Sequence, residues 1–173
     1  MPKADTRASQ PGRTTAEPST TPVSATILVI EDDVATGRLL SKILIAAGYD
    51  VALAETGAAA RARLDELAPD LILLDLILPD IDGLLLAVTL KQRTRAPIVV
   101  CSGRGGQVDQ VLAARLGAVA FLVKPFNVDD LEGVIQRALE AAPGRDGRAS
   151  TASPSAWPRT PVLVEATPSR RLP

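Results

Sequence analysis

Short apolar runs and helical patterns take turns along the middle of the chain. Ile27–Ile30 is an unbroken apolar run, the pattern of a strand buried on both faces. Over 34–47, Leu39, Leu40, Ile43, Leu44 and Ala47 recur at helical spacing, and Gly48 supplies a stop. Tyr49–Leu53 reads as a second strand. Thr56 is placed to cap a helix over 57–67, which ends before Pro69. Asp70–Leu74 contains Leu71-Ile72-Leu73-Leu74, a third strand, and a loop with Pro79 and Gly83 leads to a helix near 84–93. Pro97–Cys101 is a fourth strand, 107–116 a helix, 118–123 a fifth strand, and 128–141 a last helix with Asn127 as its cap. Five strand–helix units in succession predict an α/β fold, a doubly wound (βα)5 parallel sheet covered by helices on both faces.

Proline marks the limits of this segment. Residues 1–25 hold four prolines, residues 143–173 hold six, and the long stretch between them holds four. Both flanks are rich in Ser, Thr, Pro and Arg and lack apolar periodicity. They predict a disordered N-terminal tail over 1–25 and a disordered Pro/Arg/Ser-rich C-terminal tail over 143–173, around one domain at 26–142. Within the C-terminal tail, Val162-Leu163-Val164 could dock on a partner, but a solvated tail is the expectation, and Trp157 is expected to be exposed.

Charge and residue usage narrow the function. Residues 26–142 carry −5, the N-terminal flank +1 and the C-terminal flank +3, for a net −1. That balance argues for neither nucleic acid nor a membrane surface as a direct partner. No apolar run approaches the roughly 18 residues of a membrane span, and residues 1–25 lack a signal-peptide core. A soluble cytoplasmic protein is expected. The absence of histidine excludes a Ser/His triad, a His-ligated metal and a phosphohistidine carried by the chain itself. One cysteine, Cys101, excludes a disulfide framework and is expected to be a small buried residue.

Ligands of open parallel sheets bind beyond the carboxyl ends of the strands. Here strand 1 runs into Glu31, Asp32 and Asp33, strand 3 into Asp75, strand 4 into Ser102 and strand 5 into Lys124-Pro125. A charge at one strand end is ordinarily a solvated loop residue; four polar ends together point to a pocket. Carboxylates converging from neighbouring strands 1 and 3 would repel by about 4 kcal/mol per pair at ~4 Å and an effective dielectric near 20, so they call for a cation. An oxygen-only ligand set suits Mg²⁺, Mn²⁺ or Ca²⁺ rather than zinc or copper. One divalent ion and the Lys124 ammonium would balance three carboxylates and leave one of them able to attack a phosphoryl group.

Four stretches occur in one order: Ile27-Leu28-Val29-Ile30-Glu31-Asp32-Asp33, then Pro69–Gly83 with Leu74-Asp75-Leu76-Ile77-Leu78-Pro79, then Pro97–Gly103 with Val100-Cys101-Ser102-Gly103, and Gly117–Phe126 with Val123-Lys124-Pro125-Phe126. Together they make residues 26–142 resemble the receiver domain of two-component response regulators, the CheY-like superfamily. The resemblance implies a flavodoxin-like five-stranded sheet in the order 2-1-3-4-5. It implies that Asp75 is the phosphoacceptor, and that Asp32 and Asp75 ligate Mg²⁺ (or Mn²⁺), with Glu31 acting through water and Ile77 through its backbone carbonyl. It further implies that Ser102 and Lys124 bind the phosphoryl group, that Phe121 is the switch aromatic, and that the bond before Pro125 is cis. Asp33 should point away. Ile77 and Arg104 sit where the family tunes phosphoryl lifetime, and the glycine-rich Gly103-Arg104-Gly105-Gly106 suggests a late, movable fourth helix. Val119 and Ala120 stand where many family members carry the acidic residues of a charged dimer interface.

The function implied is a stand-alone phosphoacceptor, not an enzyme beyond its own phosphoryl acceptance and self-dephosphorylation. It would take phosphate from a histidine kinase or histidine phosphotransfer protein and signal by protein contact through the face of helix 4, strand 5 and helix 5. A second reading is a DNA-binding transcriptional regulator whose chain continues beyond residue 173. A third is an aspartyl-phosphate phosphatase or phosphotransferase, prompted by Asp80-Ile81-Asp82, a pair of acids two residues apart but set in a loop past Pro79.

Overall fold

Leu71-Ile72-Leu73-Leu74 form β3 (Leu71–Leu74), in which all four side chains are buried. The structure, a computed structural model, describes residues 24–103 and 106–142 and the backbone of Val162–Val164. Around β3 lie β1 (Thr26–Ile30), β2 (Asp50–Ala54), β4 (Ile98–Ser102) and β5 (Ala120–Val123). They alternate with α1 (Val34–Ala46), α2 (Gly57–Glu66), α3 (Gly83–Arg93), α4 (Gln107–Arg115) and α5 (Val128–Glu140). All strand pairings are parallel, in the order β2-β1-β3-β4-β5. The doubly wound, flavodoxin-like expectation is borne out, with strand limits shifted by one or two residues.

Side chains alternate across the sheet with the period of two that a strand imposes. Ile27, Val29, Leu71, Leu73, Val99, Cys101 and Leu122 face one layer, against Leu40 and Leu44 of α1 and Leu131 and Ile135 of α5. Leu28, Ile30, Ile72, Leu74 and Ile98 face the other, against Ala60 and Leu64 of α2 and Leu86 and Leu90 of α3. Each fully buried Leu or Ile contributes about 1.5–3 kcal/mol, so the two layers fix the sheet and hold its strand ends in register. A smaller cluster of Leu76, Val100, Ala113, Ala118 and Phe121 lies under α4. Leu39 does not join the core: it is 59% exposed on α1.

Helix starts are set by side-chain caps. Thr56 accepts from Ala59 N and Asn127 from Asp130 N, as their positions in the sequence predict. Asp33 and Asp82 are caps as well, for α1 and α3. Gly48, at φ +90°, turns the chain out of α1.

Beyond the expected five strands, a short sixth strand, β6 (Val162–Val164), pairs in parallel with β5. The C-terminal tail therefore holds regular structure at these three residues. The reason is tertiary: β5 offers an edge of unpaired backbone groups, and a short apolar segment satisfies them. Trp157 and Arg104 lie outside the described residues.

Candidate functional site

The carboxyl ends of β1, β3, β4 and β5 open onto one pocket, because the order places β1 beside β3 and β4 between β3 and β5. Among the described residues, Glu31, Asp75 and Ser102 are the buried polar or charged side chains, and all three lie here. Asp75 follows directly on β3. Its Oδ1 accepts from Ser102 Oγ at 2.9 Å and from the Ile77 backbone N–H at 2.9 Å. Its Oδ2 meets Lys124 Nζ at 2.6 Å, and the same ammonium donates to Glu31 Oε2 at 2.5 Å. Lys124, just past β5, thus bridges the ends of β1 and β3. Its peptide bond to Pro125 is cis.

Burial raises the Glu31 carboxyl above its ordinary range; the Lys124 hydrogen bond and charge oppose that shift, and the Asp75 and Asp32 charges add to it. Burial works against the Lys124 ammonium too, yet its hydrogen bonds to Asp75 and Glu31 and their charges prevail and raise it. Lys124 is therefore a fixed positive charge at neutral pH.

Oxygens of Glu31, Asp32 and Asp75 lie within 4.8 Å of one another, with Asp32 exposed at the mouth of the pocket. Three carboxylates against one ammonium leave two negative charges in a partly buried space. That surplus, offered by oxygen atoms alone, fits a hard divalent cation such as Mg²⁺. Asp33 turns away: it accepts from Thr36 N at 2.7 Å, and this bond holds its carboxyl below the usual range. Phe121 is buried in the cluster under α4 beside Val100. Ile77 is half-exposed and bridges in antiparallel fashion to Asp82.

These residues occupy one place in a parallel sheet, in the arrangement that the sequence motifs imply. The family model of the response regulator receiver domain matches residues 27–136. The chain belongs to the response regulator receiver family. Transcriptional regulatory protein KdpE of Staphylococcus aureus is 42% identical over 110 residues, which are 64% of this chain and 48% of that protein. Aerobic respiration control protein ArcA of Escherichia coli K12 is 37% identical, covering 61% of this chain and 44% of its own. The receiver chain thus spans about half the length of the curated relatives it matches. Among solved structures, a CheY-like receiver domain protein from Methanospirillum hungatei superposes with a TM-score of 0.65 at 30% identity, over 68% of this chain and 94% of that one. A two-component response regulator from Clostridium difficile gives 0.67 at 26% identity, over 70% and 100%.

The receiver site has partners that sequence spacing did not reveal. The Ile77 N–H is a backbone donor, visible only once the turn after β3 is built. Asp80 accepts from Gly57 N at 2.8 Å and Ala58 N at 2.9 Å, tying the β3–α3 loop to the start of α2. Asp82 accepts from Leu84 N at 2.8 Å. A largely apolar groove of about 710 Å³ runs between α1 and α5, lined by Leu39, Leu40, Ile43, Phe126, Val128 and Leu131, with Lys124 among its lining residues. An apolar side chain such as Leu39 that leaves the core at helical spacing was the available signal. Among the described residues, no helix is long and apolar enough to cross a membrane.

Proposed function

We propose that the chain is a phosphoacceptor whose Asp75 takes a phosphoryl group from the phosphohistidine of a histidine kinase or histidine phosphotransfer protein. The carrying observation is the setting of the Asp75 carboxylate: both oxygens are held, by Ser102 Oγ and Ile77 N–H on one side and by Lys124 Nζ on the other. Residues 1–173 contain no histidine, so the phosphohistidine donor group lies outside them.

In the transfer, an Asp75 oxygen forms a bond to phosphorus as the phosphorus–nitrogen bond to the donor imidazole breaks. Lys124 and the backbone N–H of Ile77 are placed to take up the negative charge of the phosphoryl oxygens. Asp32 and Asp75, with Glu31 through water and Ile77 through its carbonyl, would hold a Mg²⁺ or Mn²⁺ ion. Such an ion supplies charge neutralisation for an anion approaching a carboxylate. The apolar groove between α1 and α5 offers the donor protein a docking surface beside Lys124.

Phosphorylation turns a group of −1 into one near −2 with additional acceptor oxygens. Ser102 Oγ follows the new acceptors, and Phe121, paired with Val100 two register positions from Ser102, takes the space released. The surface of α4, β5 and α5 then changes, and a downstream protein reads it.

The names of the relatives favour a second reading, in which this receiver belongs to a longer DNA-binding regulator. The mass of the protein isolated from its source separates the two. Asp80 and Asp82 are engaged as helix caps, which speaks against an acid pair doing phosphatase chemistry.

Incubation with acetyl phosphate and Mg²⁺ tests the main reading. One phosphoryl mass should be added to the intact chain, and Asp75→Asn should abolish it. An unchanged label in that variant would overturn the assignment.

A further inference from the structure

An edge strand presents a row of unpaired backbone groups, and proteins usually defend it with charge, proline or a bulge. β2, at one edge of this sheet, begins at Asp50, runs into Glu55 and is only partly buried along most of its length. β5 has no such defence. Ala120-Phe121-Leu122-Val123 is uncharged and proline-free, and it pairs with β4 in unbroken register. Yet Ala120, Phe121 and Leu122 are buried as an interior strand would be.

α4 and α5 cover the faces of β5, and β6 occupies its outer backbone edge. It lies parallel to β5 in the register Ala120↔Val162, Phe121↔Leu163, Leu122↔Val164. Lys124 N donates to Ser102 O on the β4 side. Alternation along the strand then turns the amides of Phe121 and Val123 to the outer edge. A residue facing its neighbour in a parallel ladder bonds to the residues flanking its register mate, so Phe121 meets the backbone of Val162 and Val164.

Topology favours the same chain as the source. A parallel neighbour must enter where β5 begins, and α5 runs back from the far end of β5 to deliver the chain there. Beyond α5, Val162-Leu163-Val164 is a run of three apolar, strand-favouring residues, preceded by Pro161, a residue suited to a strand's entrance.

We propose that the outer edge of β5 is a strand-binding site for a short apolar segment in parallel orientation, and that its resident occupant is residues 162–164 of the same chain. The occupied edge is withheld from strands of other proteins and of a second copy. It is also the edge of the strand that carries Phe121 and ends one residue before Lys124.

Amide hydrogen exchange on the full chain tests this. The Phe121 and Val123 amides should exchange slowly, at a rate independent of protein concentration. Val164→Pro, which removes a ladder donor, should speed both at least tenfold while leaving β1 and β3 amides protected. Ala152→Pro, in the same tail but outside the strand, should change neither. Fast exchange in the unaltered chain, or unchanged rates in Val164→Pro, would overturn the proposal. So would protection that grows with protein concentration, which would mean that another copy supplies the strand.

Discussion

Asp32 and Asp33 are adjacent and chemically identical, and the fold gives them opposite duties. Asp32 offers an oxygen to the cluster with Glu31 and Asp75, whereas Asp33 spends its carboxylate on Thr36 N at the start of α1. Asp32→Ala should therefore weaken Mg²⁺ binding at least tenfold, while Asp33→Ala should lower the thermal midpoint and leave Mg²⁺ affinity nearly unchanged. Mg²⁺ titrations of both variants check this, and equal losses of affinity would mean that the acidic pair is misassigned. Cys101 poses a related question of environment. Burial pushes its thiol up to about 12 from an ordinary 9. A raised thiol pKa favours the folded state below the unfolded value, and the advantage is lost as pH climbs from about 9 toward about 12. At pH 8 a thiol reagent should accordingly leave Cys101 untouched until the chain unfolds; prompt labelling of native protein would contradict its burial. Both acids and the cysteine were legible by position, since strand-end acids and an apolar-flanked cysteine announce themselves. That Asp33 rather than Asp32 caps α1 was read only as pointing away, because neighbouring carboxylates are equal in composition and differ only in the geometry of the turn.

Gly83 shows how an element enforces the site. A Cβ built there would lie 2.4 Å from Leu76 Cα and 2.7 Å from the Asp75 carbonyl oxygen, so α3 can approach the end of β3 only through glycine. These are backbone atoms of the site's own loop and cannot swing aside. Gly83→Ala should cost about 1–3 kcal/mol, as overpacking does, and should also slow phosphoryl acceptance by displacing Asp75. Urea unfolding and acetyl phosphate kinetics check the two effects, and a stable, fully active variant would show that the loop yields. The five strand–helix units were legible because strands buried on both faces must be apolar runs, as Leu71–Leu74 is, and because Thr56 and Asn127 stand alone as cap candidates. β6 was legible only as an apolar run able to dock, not as a strand of this sheet, because what orders Val162-Leu163-Val164 is an open edge formed by residues about 40 positions earlier. The tie from Asp80 to the first amides of α2 was hidden for the same reason: it spans 23 and 22 residues of sequence.

At the scale of the whole molecule, the pocket sets stability against function. Glu31 and Asp75 are buried, Asp32 stands beside them, and Lys124 neutralises only one of the three. The raised Glu31 carboxyl expresses this crowding: burial is its main cause, and the Asp75 and Asp32 charges add to it. A core of apolar layers tolerates such a cost because it is local. The fold's free energy should nevertheless depend on a divalent ion that binds the folded state alone. At roughly ten times its dissociation constant, such an ion adds about 1.4 kcal/mol, which is several degrees in midpoint for a domain of this size. Asp32→Asn removes one of the crowded charges without disturbing the Lys124 bridge. In EDTA this variant should melt at or above the midpoint of the unaltered chain, because repulsion is relieved. In saturating Mg²⁺ the order should reverse, because the variant has lost a ligand and gains less from the ion. Thermal melts of the two proteins in both buffers make the comparison. A variant less stable in EDTA would mean that Asp32 supports the fold directly, and equal gains from Mg²⁺ would place the ion elsewhere. A reversal would show that the charges crowded at the strand ends lower metal-free stability while supplying the affinity for the ion.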